Sequence, residues 1–331
     1  MEVSIILLTY NQETSIKKAL DSILMQKFNG PYEIIIGDDC STDSTGEICK
    51  EYAARYPDII KYYRRDENLG LVKNYYDCLD KATGKYIADC AGDDFWVNEH
   101  RLQILYDFME SHPDTNLVAG EWLCLNPDQD IIKAGNAAPP GEYSGRKDLL
   151  NILLNKTVIN LSSSLYKSAV VKQMIQRFPK LFIGDNLRFE DLQIILTCIS
   201  QGHISVIPTT VYMYCTGHDS VSNPKTFLKK YLYTSNAIIQ HRNLVKFFLP
   251  NPSPSESEQL KRYYKNKANY ILSMAFKAGP DVMITYPLDR NIKKEASAKG
   301  VFYYCLMQNK ILWESALKVI EVLKPDKLQI K

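Results

Sequence analysis

The chain has no CxxC pair among its eight cysteines, no block of five or six like charges, and no apolar run approaching the ~18 residues of a membrane-crossing helix. Each absence excludes a class. The cysteines, at positions 40, 49, 78, 90, 124, 198, 215 and 305, sit mostly inside apolar runs and read as buried thiols of a reducing compartment. Forty basic residues against 38 acidic ones leave a net charge of +2, which argues against nucleic acid as a substrate. The opening stretch, Met1-Glu2-Val3-Ser4-Ile5-Ile6-Leu7-Leu8, lacks a basic n-region, so no signal peptide is expected. No GxGxxG follows the first apolar run and no GxxxxGKS/T occurs, so neither a dinucleotide fold nor a P-loop is supported. Thr9-Tyr10-Asn11-Gln12-Glu13 also lacks the Gly and Arg of a nucleotidyltransferase loop.

What is present is a globular composition, 331 residues with 45% apolar content, enough for one large or two ordinary domains. The periodicity alternates. Val3 to Leu8 is a short apolar run of strand type, and from Thr14 to Met25 Ile16, Ala19, Leu20 and Ile23 share a helical face. The alternation continues through strands at 32–36, 59–63 and 85–90 with helices near 45–56 and 72–81 between them. This predicts a parallel α/β sheet covered by helices on both faces. A helix is expected over 98–111 and a strand over 116–123. Pro127, Gly135, Pro139, Pro140, Gly141 and Gly145 predict an irregular loop between 126 and 146, free to approach a substrate. Further strand is expected over 204–214, and from Pro224 onward the pattern is helical, interrupted by Pro250-Asn251-Pro252-Ser253-Pro254-Ser255. The expected domains are 1–223 and a helical C-terminal region, 224–331.

In such sheets ligands bind beyond the carboxyl ends of the strands. There the chain places Thr9-Tyr10-Asn11, Asp38-Asp39-Cys40-Ser41-Thr42-Asp43, Asn68-Leu69-Gly70 and Asp93-Asp94. The Asp93-Asp94 pair reads either as a solvated acidic turn or as oxygen ligands for a hard divalent cation beside a phosphate. Carboxylates facing a pyrophosphate directly would repel it, which favours a metal bridge. Asp39 could instead accept the imide N–H of a uracil ring, with Tyr10 stacked on that ring and Asn68 adding hydrogen bonds.

In their order and spacing these segments resemble the family 2 glycosyltransferases of GT-A fold, of the bacterial surface-glycan type. Thr9-Tyr10-Asn11 resembles the family's nucleotide-side motif, and Asp38-Asp39-Cys40-Ser41-Thr42-Asp43 its DDGSTD turn, with Cys40 where glycine is common. Asn68-Leu69-Gly70 matches an N-x-G segment, and Ala91-Gly92-Asp93-Asp94 takes the DxD position with Ala91 in place of the first acid. Glu190-Asp191 matches the segment of the catalytic base, and Tyr214, His218 and Ser220 resemble the end of the catalytic domain. The resemblance covers residues 1 to about 223.

It implies a Rossmann-like, mostly parallel sheet and a metal-dependent, inverting hexosyl- or N-acetylhexosaminyl-transferase of polysaccharide biosynthesis. The expected donor is a nucleotide sugar, in particular a UDP-sugar, and the acceptor a hydroxyl of a glycan or lipid-linked glycan. Asp191 is the expected general base, with Glu190, Asp185 or no base at all as alternatives; in the last case Asp191 only stabilises a helix start. The donor side is expected to use Thr9, Tyr10, Asn11, Asp39, Asn68, Lys73 and Asp93, and a Mn²⁺ or Mg²⁺ ion Asp93, Asp94 and His218. His218 also reads as a plain surface-loop histidine. The alternative function, motivated by Ala91, is a non-catalytic nucleotide-sugar or glycan-binding domain.

Smaller readings complete the set. Phe95-Trp96 either stacks on an acceptor sugar or, as favoured here, anchors the loop to the core. Lys73 and Arg101 either approach the diphosphate or lie on solvated faces, and Ser162-Ser163-Ser164 are expected to line the acceptor side. His100, His112, His203 and His241 lack ligand-like spacing and are expected to be structural. The tyrosines and lysines of the C-terminal helices form either a basic surface for a membrane bearing the acceptor or, as favoured, a cap or dimer contact. The expected location is cytoplasmic, at most associated with the inner face of the membrane.

Overall fold

The computed structural model describes residues 1–126, 131–184, 187–216, 224–308 and 310–323, and the chain divides into two compact units, Met1–Gly217 and His218–Lys331. In the first unit the apolar runs become strands and the amphipathic segments between them helices: β1 (Val3–Thr9), α1 (Ile16–Leu24), β2 (Tyr32–Asp38), α2 (Thr45–Arg55), β3 (Ile60–Arg64), α3 (Leu71–Lys81) and β4 (Tyr86–Ala91). These four strands are parallel, in the order β3-β2-β1-β4. Their side chains alternate between two helical layers. Val3, Ile5, Leu7, Ile34, Ile36, Ala88 and Cys90 pack with Ile16, Leu20 and Ile23 of α1 and Cys49 of α2. On the other face Gly37 lies so close to Asn74 and Cys78 of α3 that an added Cβ would strike both. Burial on both faces explains why these strands read as nearly continuous apolar text.

Beyond β4 the sheet becomes mixed. β5 (Phe95–Trp96), α4 (Arg101–Ser111), β6 (Thr115–Asn126), β7 (Ile131–Ala134), β8 (Gly141–Tyr143), α5 (Gly145–Leu153), β9 (Ser164–Lys167), α6 (Ser168–Arg177), α7 (Pro179–Phe182), α8 (Asp191–Gln201) and β10 (His203–Cys215) follow in turn. The order continues β4-β9-β6-β10-β5, with β9 antiparallel to both neighbours and β10 parallel to β6. The irregular loop expected over 126–146 is corrected in part. β7 pairs antiparallel with β6, and β8 pairs antiparallel with β10, because open strand edges there satisfy the backbone that the prolines and glycines interrupt.

The second unit is helical among its described residues: α9 (Phe227–Phe248), α10 (Pro254–Ala278), α11 (Val282–Thr285), α12 (Arg290–Glu295), α13 (Ala298–Met307) and α14 (Lys310–Leu323). The Pro- and Ser-rich break starts α10 through a capping box, in which Ser253 Oγ accepts from Glu256 N–H and the Glu256 carboxylate from Ser253 N–H. Leu244, Val245, Leu260, Ala268, Ile271, Leu272 and Phe276 form its core. Arg242 bridges to Glu295 and stacks on Tyr264. Of the tyrosines proposed for an interfacial surface, Tyr231 and Tyr264 are buried within this unit, and Tyr270 is exposed. No described helix is long and apolar enough to cross a membrane.

Candidate functional site

The carboxyl ends of β1 and β2 are tied together by side chains reaching across the sheet edge. Asn11 Oδ1 accepts from Thr42 N–H at 2.8 Å, Asn11 N–H donates to Ser41 Oγ at 3.0 Å, and Gln12 N–H donates to Thr45 Oγ1 at 2.8 Å. Thr9, buried, donates to Gln12 Oε1 at 2.8 Å. The turn holding Asn11 has φ of 52°, and it leaves Tyr10 46% exposed, open to stack on a planar ligand. Cys40 has φ of 66°, the left-handed region in which glycine is strain-free, so the turn suits glycine at this position.

The two acids of the second loop do different work. Asp38 is buried and accepts from Ser41 N–H at 2.9 Å and the Tyr62 hydroxyl at 2.7 Å. Asp39 accepts from Leu69 N–H at 2.7 Å and Gly70 N–H at 2.9 Å, while Asn68 Nδ2 donates to its carbonyl at 3.3 Å. The structure thus brings Asp39 and Asn68 together and fixes the start of α3 on them. Burial raises the Asp39 carboxyl above its ordinary value, against the lowering effect of the two N–H groups and Arg65. Each of its oxygens has a second lone pair, so it can still accept from a ligand. Lys73 is exposed in the first turn of α3.

The Asp93-Asp94 pair also divides. Asp94 is buried, and its two oxygens accept from the Tyr212 hydroxyl and from Cys215 N–H, the latter at 2.6 Å. It fastens the turn after β4 to β10. Asp93 is half-buried in the same turn, and Gly92 beside it lies where a Cβ would stand 2.9 Å from Thr9 Oγ1. The β4 turn therefore sits directly on the β1 loop. Among the described residues no three His, Cys, Asp or Glu side chains gather to hold a metal, and His218 lies outside the described residues. The donor set is Asp93, a hard oxygen ligand at a strand end, beside Asp94, whose oxygens take the Tyr212 and Cys215 donors. That fits a divalent cation completed by phosphate oxygens and water.

Several smaller expectations are settled by packing. Phe95-Trp96 pairs with β10, and Trp96 is buried against the Arg101 guanidinium, an anchor as favoured. Arg101 itself is corrected: it is fully buried and donates to the Ser162 and Ser164 carbonyls, so it neither faces a diphosphate nor lies on a solvated face. Ser163 and Ser164 are likewise corrected from acceptor wall to core, donating to the Asn160 and Leu161 carbonyls. His112 stacks on Phe108, His203 faces Glu142, and His241 is buried beside Tyr264.

Asp191 opens α8, and its Oδ1 accepts from Leu192 N–H at 2.6 Å. Its surface is open to solvent, yet the protein packed about it raises the carboxyl above its ordinary value. Glu190 is half-buried and pushed well upward by burial and by the charge of Asp191. Tyr76 of α3 donates to Gln193 Oε1 at 2.9 Å and so ties α8 to the helix that begins at Asp39. Asp185 lies outside the described residues.

One group is absent from the sequence reading. Asp89 of β4 is buried and accepts from the Tyr75 hydroxyl at 2.9 Å, and Tyr75 meets the Tyr166 hydroxyl at 2.5 Å. Burial carries Asp89 up to about 7. The signal available was a carboxylate in the middle of an apolar strand, a position that needs a partner.

Residues 4–160 match the family model for Glycosyl transferase family 2. An uncharacterized protein of Mycobacterium tuberculosis is 37% identical over 169 residues, covering 50% of this chain and 46% of that protein. The poly(ribitol-phosphate) beta-N-acetylglucosaminyltransferase TarS of Staphylococcus aureus is 25% identical over 223 residues, 65% of this chain and 36% of that one. The chain thus spans less than half the length of these curated relatives. Among solved structures, residues 1–349 of S. aureus TarS with UDP-GlcNAc match with a TM-score of 0.57 at 17% identity, over 96% of this chain and 92% of that one. The mannosyltransferase PcManGT of Pyrobaculum calidifontis, with GDP-Man and Mn²⁺, matches with a TM-score of 0.53 at 14% identity, over 98% and 88%. The fold is that of the GT-A glycosyltransferases. Residues 4–160 are a glycosyl transferase family 2 domain.

Proposed function

We propose that the protein is a metal-dependent, inverting glycosyltransferase that moves a sugar from a UDP-sugar to a hydroxyl of a glycan or lipid-linked acceptor in the cytoplasm. The observation that carries this reading is the sheet edge itself: Tyr10, Asp39 and Asn68 stand beside the turn bearing Asp93, all held by interlocked loops. Tyr10 stacks on the uracil ring, and Asp39 accepts its imide N–H through lone pairs not engaged by Leu69 and Gly70. Thr9 and Asn11 hold the loop that carries Tyr10, and Lys73 at the start of α3 offers positive charge to the diphosphate. Asp93 would hold Mn²⁺ or Mg²⁺, with Asp94 bracing the turn. Bound there, the ion supplies positive charge against which a nucleoside diphosphate can depart. Asp191 accepts the proton of the acceptor hydroxyl as its oxygen attacks the anomeric carbon from the face opposite the leaving group. TarS, a relative of the same fold, is an N-acetylglucosaminyltransferase solved with UDP-GlcNAc, which supports UDP-GlcNAc as the first donor to test. The cytoplasmic placement is supported by eight cysteines, none of them in a disulfide.

Incubation with Mn²⁺ or Mg²⁺, a panel of nucleotide sugars and glycan acceptors, with nucleoside diphosphate release as readout, tests the reading. Metal-dependent release from a UDP-sugar is expected. A second reading is favoured by Ala91 together with the engagement of Asp94: a nucleotide-sugar-binding domain without transfer. Tight, metal-dependent UDP-sugar binding with no release from any donor and acceptor pair would select it.

A further inference from the structure

The carboxyl pair at the start of α8 lies within electrostatic reach of a buried polar group that the transfer reading leaves idle. Glu190 Oε2 and Asp89 Oδ2 are both shut off from solvent and have no hydrogen-bond partner among the described residues. The phenols that feel the charge of Glu190 are Tyr75 and Tyr76. Each has one proton to give. Tyr75 gives its proton to Asp89 at 2.9 Å while accepting from Tyr166, and Tyr76 gives its proton to Gln193 at 2.9 Å. Neither can donate to Glu190. The acids bearing on Glu190 are Asp191 from α8 and Asp89 from β4, both of like sign. Arg101 of α4 faces Asp89, and Arg188 lies two residues before Glu190. An ionised carboxylate with a dry, undonated oxygen among like charges carries a heavy desolvation cost. Asp191 differs, since its surface is open and it has the Leu192 N–H, whereas Glu190 has only its own backbone N–H and keeps a dry Oε2.

We propose that Glu190 is the protonated, non-reacting member of the Glu190–Asp191 pair, that the buried Asp89–Tyr75–Tyr166 group keeps it so, and that its proton must stay in place for turnover. The two carboxyls thereby take opposite states, one a neutral positioning residue and the other the ionised base. Loss of the Glu190 proton would set a second negative charge beside Asp191, where a diphosphate-bearing donor and an acceptor hydroxyl must meet. Turnover then falls on the alkaline side through Glu190 and on the acid side through Asp191. The kinetic half of this rests on the transfer reading above; the protonation state does not.

The test has two arms on the full chain. In the first, the protein is labelled with ¹³C at glutamate carboxyl carbons and titrated, with Glu190→Gln, or Glu190→Ala if Gln does not fold, identifying the resonance. Glu190 is expected to titrate above neutrality, and Asp89→Asn to move its midpoint downward by removing a neighbouring charge. In the second arm, nucleoside diphosphate release is followed against pH. Glu190→Gln is expected to keep turnover within about threefold and to lose the alkaline limb, while Asp191→Asn loses ~10²–10⁴. A Glu190 midpoint below neutrality, or a Glu190→Gln loss as deep as that of Asp191→Asn, overturns the proposal. No release by the wild type from any donor would sink the transfer reading and leave the titration arm to decide the state of Glu190.

Discussion

The Tyr212 hydroxyl donates to the buried carboxylate of Asp94, so the second acid of the Asp93-Asp94 pair joins the turn after β4 to the long strand β10. Cys215 N–H occupies its other oxygen. Within the pair, then, structure falls to Asp94, and ligand binding is the role proposed above for Asp93. Tyr212→Phe leaves a buried carboxylate oxygen short of a donor and is expected to lower stability by about 1.5–3 kcal/mol, the range for a hydrogen bond to a charged group. Its metal-dependent affinity for UDP should stay near that of the wild type. Asp93→Asn is expected to weaken that affinity about tenfold or more through the lost ligand. Chemical denaturation and calorimetric titration of UDP with Mn²⁺ measure both quantities, and an Asp93→Asn protein that binds as tightly as the wild type would refute the division.

Asp191→Asn keeps the size of the side chain and removes its basicity. Turnover should fall by ~10²–10⁴ with donor binding nearly intact, because general-base assistance acts in the transition state and not on the bound donor. The pH profile supplies a check on sign. The protein packed about Asp191 raises its carboxyl although its surface is open, so the acid limb of the wild type should lie above the range of an ordinary aspartate and should vanish in Asp191→Asn. Retention of wild-type turnover at every pH would remove Asp191 from the mechanism.

Cys40 offers a test of backbone strain. A non-glycine residue at φ of 66° costs roughly 1–2 kcal/mol against the right-handed region, and glycine avoids that cost at an entropic penalty of about 0.5–1 kcal/mol. Cys40→Gly is therefore expected to raise stability by up to about 1 kcal/mol by urea denaturation. Cys40→Ala keeps a Cβ and should bring no gain; equal gains in the two variants would trace the effect to the thiol instead.

The sequence made the parallel half of the sheet readable because strands buried on both faces appear as continuous apolar runs, and the polar loops that end them mark one edge. Antiparallel pairing was less visible. β7 and β8 are short, lie among prolines and glycines, and owe their strand state to open edges of β6 and β10 that no local pattern reports. The acids at the sheet edge were found, but their division of labour was not, since it depends on partners far away in the chain: Tyr212 for Asp94, Leu69 and Gly70 for Asp39. Arg101 misled for a related reason. An arginine at the start of an amphipathic helix reads as surface, whereas here carbonyls of Ser162 and Ser164 and the Trp96 ring provide a buried seat.

Glu33 gives a pH dependence separate from the active-site groups. It is buried in β2, where burial alone would raise its carboxyl, but Lys61, Ser4 and Thr83 all donate to it and hold it down at about 2. Its folded value lies below the unfolded one, so its contribution is fully present above about 4.5 and is lost as pH falls toward 2. The shift corresponds to at most ~3 kcal/mol. Denaturation midpoints should therefore drop as pH falls below 4.5, and Glu33→Gln should flatten that slope while lowering stability at pH 7. Lys61 is partly exposed, so added salt should weaken its share, while the Ser4 and Thr83 bonds should persist. A Glu33→Gln protein with the wild-type acid slope would place the acid sensitivity in another carboxylate.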